Sequence, residues 1–171
     1  MSAARLERIL GPERRVLPIR EAQWREVEEW SEAPLPEDLR SLFAGYGDGV
    51  ILGHLFVPHP NGGVPLLTFM QDERETLCIE QESLGSLRAG IDPTRVIPWG
   101  HHDWNGDRCL LIPDDASGWV VAVSYRQCPE VEVVASSISE FLHQLLVEEK
   151  RPRGWPGGLP VWEEVEGSTV V

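Results

Sequence analysis

Helical and strand-like residue patterns occupy separate parts of this sequence, and their order limits the folds open to it. Apolar residues recur at three- and four-residue spacing in the first third, which predicts helices at residues 1–10, at 20–31 and from Pro36 to Tyr46. The second half holds short β-branched and aromatic runs, followed by a closing helix from residue 138. This segregation predicts a single α+β domain: a mainly antiparallel sheet with helices packed on one side.

Turn residues mark the ends of the predicted strands. Those strands are residues 50–57, 66–69, 96–99, 109–112, 119–124 and 131–135. The last three form a meander, and the turn-rich residues 113–118 suit a hairpin between two of them. Residues 70–89 have an ambiguous pattern, with helix as one interpretation and with their acids facing outward.

The chain divides into three parts by composition. Residues 1–19 are an N-terminal extension, residues 20–147 hold the predicted domain, and residues 148–171 are a tail or arm that contains proline, glycine and tryptophan. Ser137 and Glu140 have the spacing of a capping box, which marks the start of the domain's closing helix.

Acidic residues outnumber basic residues by a wide margin. The 28 Asp and Glu residues against 15 Lys and Arg residues give a net charge of −13, and acids concentrate between Glu21 and Asp38. This charge repels phosphate backbones, so we expect no direct binding of nucleic acid, and it favours encounter with a basic protein. The alternative is that the charge serves only to keep the protein in solution.

The sequence has neither the pattern of a signal peptide nor that of a membrane span. The arginines of the first fifteen residues are not followed by an apolar stretch, and the longest strongly apolar run, residues 119–123, is too short for a bilayer. The three cysteines, Cys78, Cys109 and Cys128, lack the paired spacing of a disulfide framework. We therefore expect a cytoplasmic protein that does not bind membranes.

The segment from His101 to Cys109 concentrates the side chains capable of metal or acid–base chemistry. One hypothesis is a metal-dependent hydrolase whose ligands are drawn from four residues: His101, His102, Asp103 and Asp107. However, their spacing matches no zinc motif, and the chain has no nucleophile elbow, Walker loop or dinucleotide glycine loop. We therefore favour a structural or partner-contacting loop, and expect no catalytic residue and no cofactor.

Tryptophans fall into two groups according to their neighbours in sequence. Trp99 and Trp119 lie in predicted strands and are expected in the core. Trp104, Trp155 and Trp162 lie in polar or Pro/Gly-rich segments and are expected at the surface, where tryptophan is enriched at binding hot spots.

The predicted partner-binding surface combines one of these tryptophans with nearby acids. Its residues are Asp48, Asp103, Trp104 and Asp107. Negative charge speeds encounter with a cationic partner, and a buried aromatic side chain then holds the complex. Of the other histidines, His54 is expected to be half-buried or at the surface of its strand.

Three blocks of sequence resemble the SUKH superfamily and occur in the order typical of it. They are residues 35–39 (LPEDL) with the glycine turn 47–49, residues 96–100 (VIPWG) with 105–107 (NGD), and residues 135–142 (ASSISEFL). The superfamily includes fungal cell-wall-assembly regulators and bacterial immunity proteins that neutralise polymorphic toxins, often nucleases. The resemblance implies a single α+β domain that acts by binding a protein and is not an enzyme. The partner it suggests is a basic toxin domain, with a general scaffold or regulatory adaptor role as the alternative.

Overall fold

The chain folds into five α-helices, a short 3₁₀ helix and one sheet over the residues that the computed structural model describes, 2–14, 18–84, 91–128 and 130–165. The helices are α1 (Ser2–Leu10), α2 (Glu21–Ser31), α3 (Glu37–Tyr46), α4 (Leu66–Leu84) and α5 (Ile138–Leu146), and the 3₁₀ helix is Pro93–Arg95. The strands are β1 (Gly49–Ile51), β2 (Leu55–Val57), β3 (Ile97–His102), β4 (Arg108–Asp114), β5 (Gly118–Tyr125), β6 (Glu130–Ala135) and β7 (Trp162–Glu164).

The sheet has seven strands in the order β6-β5-β4-β3-β2-β1-β7, and each neighbouring pair is antiparallel. Strands β1 to β6 therefore follow one another across the sheet, and β7 returns to pair with β1. The predicted α+β fold with a mainly antiparallel sheet is confirmed. Across the described residues, none of the helices has both the length and the apolar character of a bilayer-spanning segment.

Two hydrophobic clusters cover the two faces of the sheet. Successive residues of a strand point to opposite faces, so Leu111 of β4 joins the main core, on the face that helices α1, α2, α3 and α5 cover. Its neighbour Leu110 joins a smaller cluster on the other face, together with Leu77 of α4. Helix α4 thus starts in the main core, at Leu66, and continues across the opposite face of the sheet.

Two strands predicted from the sequence differ from those observed. Residues 66–69 are the first turn of α4, because their apolar run continues into the buried helical positions Met70 and Leu77, and a short apolar run alone does not separate strand from helix. The helix confirms that interpretation of residues 70–84, while residues 85–89 lie outside the described part of the chain. The predicted strand 50–57 is broken into β1 and β2 by a turn in which Leu52 and Gly53 have positive φ.

Of the predicted capping box at α5, the structure shows the Ser137 half, while the carboxylate of Glu140 accepts the N–H of Ser136 at 2.7 Å. Pro36 immediately precedes α3, and the Ser137 hydroxyl oxygen accepts the N–H of Glu140 at 3.1 Å in the first turn of α5. The carboxylate of Asp38 accepts the N–H of Ser139 at 2.9 Å. This bond ties the first turn of α3 to the first turn of α5, which are far apart in sequence.

The segment after α5 folds back onto the domain instead of forming an arm. Trp155, predicted at the surface, is only 6% exposed and packs in the main core. Trp162 begins β7, is half-buried, and donates its indole N–H to the carbonyl of Tyr46 at 2.8 Å. A Cβ at Gly49 would lie 2.2 Å from that indole nitrogen, so the approach of β7 requires glycine there. The surface predictions for Trp155 and Trp162 are wrong because both indoles find partners far away in sequence.

Candidate functional site

The loop between β3 and β4 packs against the turn between β1 and β2. The N–H of Asp103 donates to the carbonyl of His54 at 2.7 Å, and the rings of His54 and His102 stack with their centroids 4.3 Å apart. Both histidines are buried, with exposed fractions of 0% and 1%. The expectation of a half-buried or surface His54 is wrong, because the turn that separates β1 from β2 removes the strand alternation on which it rested.

Hydrogen bonds fix the backbone of this loop, residues 103–107, at nearly every position. The N–H of Asp107 donates to the side-chain oxygen of Asn105 at 2.9 Å, and the N–H of Gly106 donates to the carbonyl of His102 at 2.9 Å. Gly106 has a φ of +76°, a conformation that favours glycine. The N–H groups of Trp104 and Asn105 both donate to Nδ1 of His102, at 3.2 and 3.3 Å. The loop is therefore held in one shape before any partner arrives.

Asp107, predicted as a partner contact, is an internal anchor of the loop. It is 3% exposed, and its two oxygens accept the backbone N–H of Arg126 at 3.0 Å and the indole N–H of Trp155 at 2.9 Å. The carboxylate therefore joins the loop to the turn after β5 and to the C-terminal segment. Asp48 is also buried, at 2% exposed, in the turn before β1. The structure places both carboxylates away from the surface.

Trp104 and Asp103 occupy the outer side of the loop. Trp104 is 68% exposed, and its ring centroid lies 5.6 Å from that of His54 and 5.9 Å from that of His102. The side chain of Asp103 is 39% exposed. Of the four predicted partner-binding residues, these two adjacent ones lie at the surface.

His101 lies between two carboxylates. Its Nε2 is 2.8 Å from Oδ1 of Asp103, and its Nδ1 is 3.5 Å from Oε1 of Glu73. Burial by itself lowers the pKa of His101, but the hydrogen bonds to Asp103 and Glu73 outweigh burial and raise the pKa to about 9. His101 is therefore a cation at neutral pH, with both ring nitrogens protonated.

Arg108 extends this charge network to α4. Its guanidinium donates to Glu73 at 2.6 Å and to Glu80 at 2.7 Å, and the residue is 7% exposed. Although burial favours the neutral form of Glu73, the bonds from His101 and Arg108 lower the pKa of its carboxyl. Sequence reasoning missed this network: Glu73 and Glu80 follow the pattern of outward-facing acids on a helix, and nothing local to them indicates a partner on β4.

The polar side chains of His101, His102 and Asp107 bond to different protein groups instead of converging on a common point. Both nitrogens of His101 face carboxylates, Nδ1 of His102 accepts two backbone N–H groups, and both oxygens of Asp107 accept hydrogen bonds. Among residues 2–14, 18–84, 91–128 and 130–165, no three His, Cys, Asp or Glu side chains form a group able to hold a metal ion. These contacts hold His101, His102 and Asp107 against neighbouring parts of the protein.

A comparison with known families finds a match for this chain. The family model described as SMI1 / KNR4 family (SUKH-1) matches residues 18–144, a span that contains all three sequence blocks described above. The predicted SUKH resemblance is thereby confirmed. A search of curated proteins finds no match.

Proposed function

Because the chain belongs to the SMI1/KNR4 family (SUKH-1), we propose that it is an immunity-type protein that binds a basic toxin domain and neutralises it by covering the surface through which the toxin acts. Membership of the family supports a non-catalytic immunity or regulatory role in general. The net charge of −13 supports a cationic partner, because opposite fields accelerate encounter. The observation that carries the proposal is the exposure of Trp104 on a rigid loop.

Trp104 has the properties of a binding hot spot. A tryptophan that is 68% exposed leaves a large apolar surface in water, and burying it against a partner removes that surface from solvent. Hot spots are enriched in tryptophan, at positions surrounded by weaker contacts. Because the loop backbone is already ordered by the bonds to His102, binding does not have to order it, and the entropic cost of association is reduced.

Asp103 contributes less to long-range attraction than its exposure suggests. Its carboxylate is bonded to the protonated ring of His101 at 2.8 Å, so the two charges largely cancel at a distance. We therefore attribute steering to the net charge of the whole chain and the lifetime of the complex to Trp104. Asp103→Asn is expected to leave most of the salt dependence of the association rate in place, since it removes only one of the 28 acidic residues.

The test uses the proteins encoded beside this chain's gene as candidate partners. A toxin domain found there, inactivated so that it can be purified, is titrated with wild type, with Trp104→Ala and with Val147→Ala. Val147 is a matched control because it is a 56% exposed apolar residue at the end of α5. We expect Trp104→Ala to weaken binding by about 30-fold or more, the effect of a hot-spot residue, through faster dissociation. Val147→Ala is expected to change the affinity by no more than about twofold.

Other outcomes of this titration contradict parts of the proposal or favour the adaptor role. Equal affinities for wild type and Trp104→Ala contradict the assignment of the surface. A neighbouring toxin domain that is not basic, or that the chain does not bind, contradicts the immunity assignment. A neighbouring protein that binds through Trp104 but keeps its activity supports a regulatory adaptor instead.

A further inference from the structure

The stacked rings of His54 and His102 lie directly against the ring of Trp104. The two rings are 21° from parallel. The ring of Trp155 meets His54 edge-on and His102 at a tilt, with its centroid 5.6 Å and 5.1 Å from theirs. Trp104 rests against the same pair. The position of the exposed tryptophan therefore depends on two buried imidazoles.

Hydrogen bonds define the protonation state of each ring. Nδ1 of His102 accepts two backbone N–H groups, so it carries a lone pair, and the ring proton lies on Nε2. Nε2 of His54 lies 3.1 Å from the carbonyl of Pro156, which can only accept, so the proton of His54 lies on Nε2. His102 is therefore neutral in this arrangement, and burial, which lowers the pKa of His54, favours the neutral form of that ring as well. Nε2 of His102 and Nδ1 of His54 are buried and have no hydrogen-bond partner among the described residues.

Because Nε2 of His102 already carries a proton, a second proton can bind only at Nδ1. There it would face the N–H groups of Trp104 and Asn105, which are donors themselves, so both bonds would be lost and replaced by repulsion. The new charge would also be buried 4.3 Å from the ring of His54. Protonation of His102 is thus incompatible with the observed turn at Trp104.

The charges around the pair do not remove this conflict. Asp103 and Asp107 face it from the loop and favour a cation, whereas Arg151 of the C-terminal segment opposes one. Burial, followed by the influence of His54, lowers the pKa of His102 to about 4, and burial lowers the pKa of His54 as well. The tryptophans at positions 104 and 155 supply the remaining ring contacts and carry no charge.

We propose that His102 is an acid-sensitive latch: in acidic solution it takes a proton at Nδ1, releases the N–H groups of Trp104 and Asn105, and lets the loop leave its binding shape while the rest of the sheet stays folded. The consequence for partner binding, loss of affinity in acid, rests on the proposed function. The opening of the loop itself does not, because it is a property of the free chain.

The experiment follows the free protein by NMR from about pH 7.5 to about pH 3.5, recording the backbone amides and the imidazole nitrogens. We expect the His102 ring to have its proton on Nε2 at neutral pH and to titrate near pH 4, with the amides of Trp104 and Asn105 shifting at the same midpoint. The amides of β4 and β5 are expected to keep their positions. A His102 ring that titrates near 6.5 without movement of those two amides overturns the proposal, and so does loss of the whole sheet at the same pH.

A matched pair of variants separates the latch from other histidines. In His102→Asn the side-chain oxygen takes the place of Nδ1 as acceptor and does not titrate, so the loop is expected to stay closed across the range. His143→Asn, on α5, is expected to keep the wild-type transition. A transition that persists in His102→Asn overturns the proposal. If His102→Asn does not fold, the titration of the wild-type ring alone decides.

A second experiment measures the affinity of the wild-type chain and of His102→Asn for the neighbouring toxin domain, at neutral pH and at about pH 4. Loss of affinity in acid that is restored by His102→Asn supports the latch at the binding surface. Equal acid loss in both proteins contradicts that role. Absence of binding already at neutral pH is a failure of the proposed function, and leaves the loop transition to be decided on the free chain.

Discussion

The imidazolium of His101, held between Asp103 and Glu73, makes the stability of this protein depend on pH on the alkaline side, and His101→Gln tests that dependence. The ring titrates near 6.5 in an unfolded chain and at about 9 in the folded protein. A group whose pKa rises on folding stabilises the folded state fully below its unfolded pKa, and this contribution is lost as pH rises through its folded pKa. The contribution of His101 is therefore complete below about pH 6.5 and absent above about pH 9.

The size of this contribution follows from the two pKa values. The interval from 6.5 to about 9 corresponds to about 3 kcal/mol in the free energy of unfolding, at roughly 1.36 kcal/mol for each pKa unit. The side chain of His101 is 31% exposed, and solvent screens part of the interaction with the two carboxylates. We therefore expect about 1–2 kcal/mol.

The assay is urea unfolding followed by tryptophan fluorescence, for wild type and His101→Gln, at several values between about pH 6.5 and about pH 9.5. Burial raises the pKa of the Cys109 thiol, which lowers stability at alkaline pH in both proteins, so only the difference between them is diagnostic. This difference is expected to fall from about 1–2 kcal/mol to near zero across the range. A difference that stays constant with pH, or that grows, refutes the assignment of His101 as a cation.

Two further predictions concern residues that hold the loop and its neighbours in place. Arg108→Met leaves Glu73 and Glu80 without their shared cation, and we expect it to lower the free energy of unfolding by about 2–3 kcal/mol. This is less than the roughly 3–5 kcal/mol of a fully buried pair, because both glutamates keep some solvent contact. A loss below about 0.5 kcal/mol in urea unfolding would contradict this prediction. Trp155→Phe leaves one buried oxygen of Asp107 without its donor, and we expect it to lower the free energy of unfolding by about 1–3 kcal/mol. Trp104→Phe changes an exposed side chain and is expected to lower it by less than about 0.5 kcal/mol in the same assay. Equal losses for the two variants would show that the Asp107 bond is not formed.

The elements that the sequence predicts well are those with local signals. Helix α3 lies between Pro36 and Gly47, and α5 starts at the Ser137 cap, because proline, glycine and serine act on the backbone within one turn of their own position. The strands β3 to β6 follow from their β-branched and aromatic residues between turn signals. Trp104 is exposed, as its polar neighbours indicate, but the same criterion fails for Trp155 and Trp162, which pack against distant segments.

The parts that could not be predicted depend on contacts between distant segments. The bond from Trp155 to Asp107 and the ion pair from Arg108 to Glu73 join residues 48 and 35 positions apart. The residues adjacent to an aspartate do not indicate whether it is buried or exposed. The burial of Asp107 and the exposure of Asp103 therefore become evident only when the position of the C-terminal segment is known. The burial of His54 depends in the same way on Trp155 and on the carbonyl of Pro156.

The most direct test of the account asks whether Trp104 is buried by the partner. Labelling the seven tryptophans with 5-fluorotryptophan gives a ¹⁹F resonance for each, and Trp104→Phe identifies that of Trp104. In the free chain we predict that this resonance shows a large shift between H₂O and D₂O, because the ring is 68% exposed, and that the shift disappears in the complex with the toxin domain. A Trp104 resonance that keeps its solvent shift in the complex, while another tryptophan loses its own, would contradict the account.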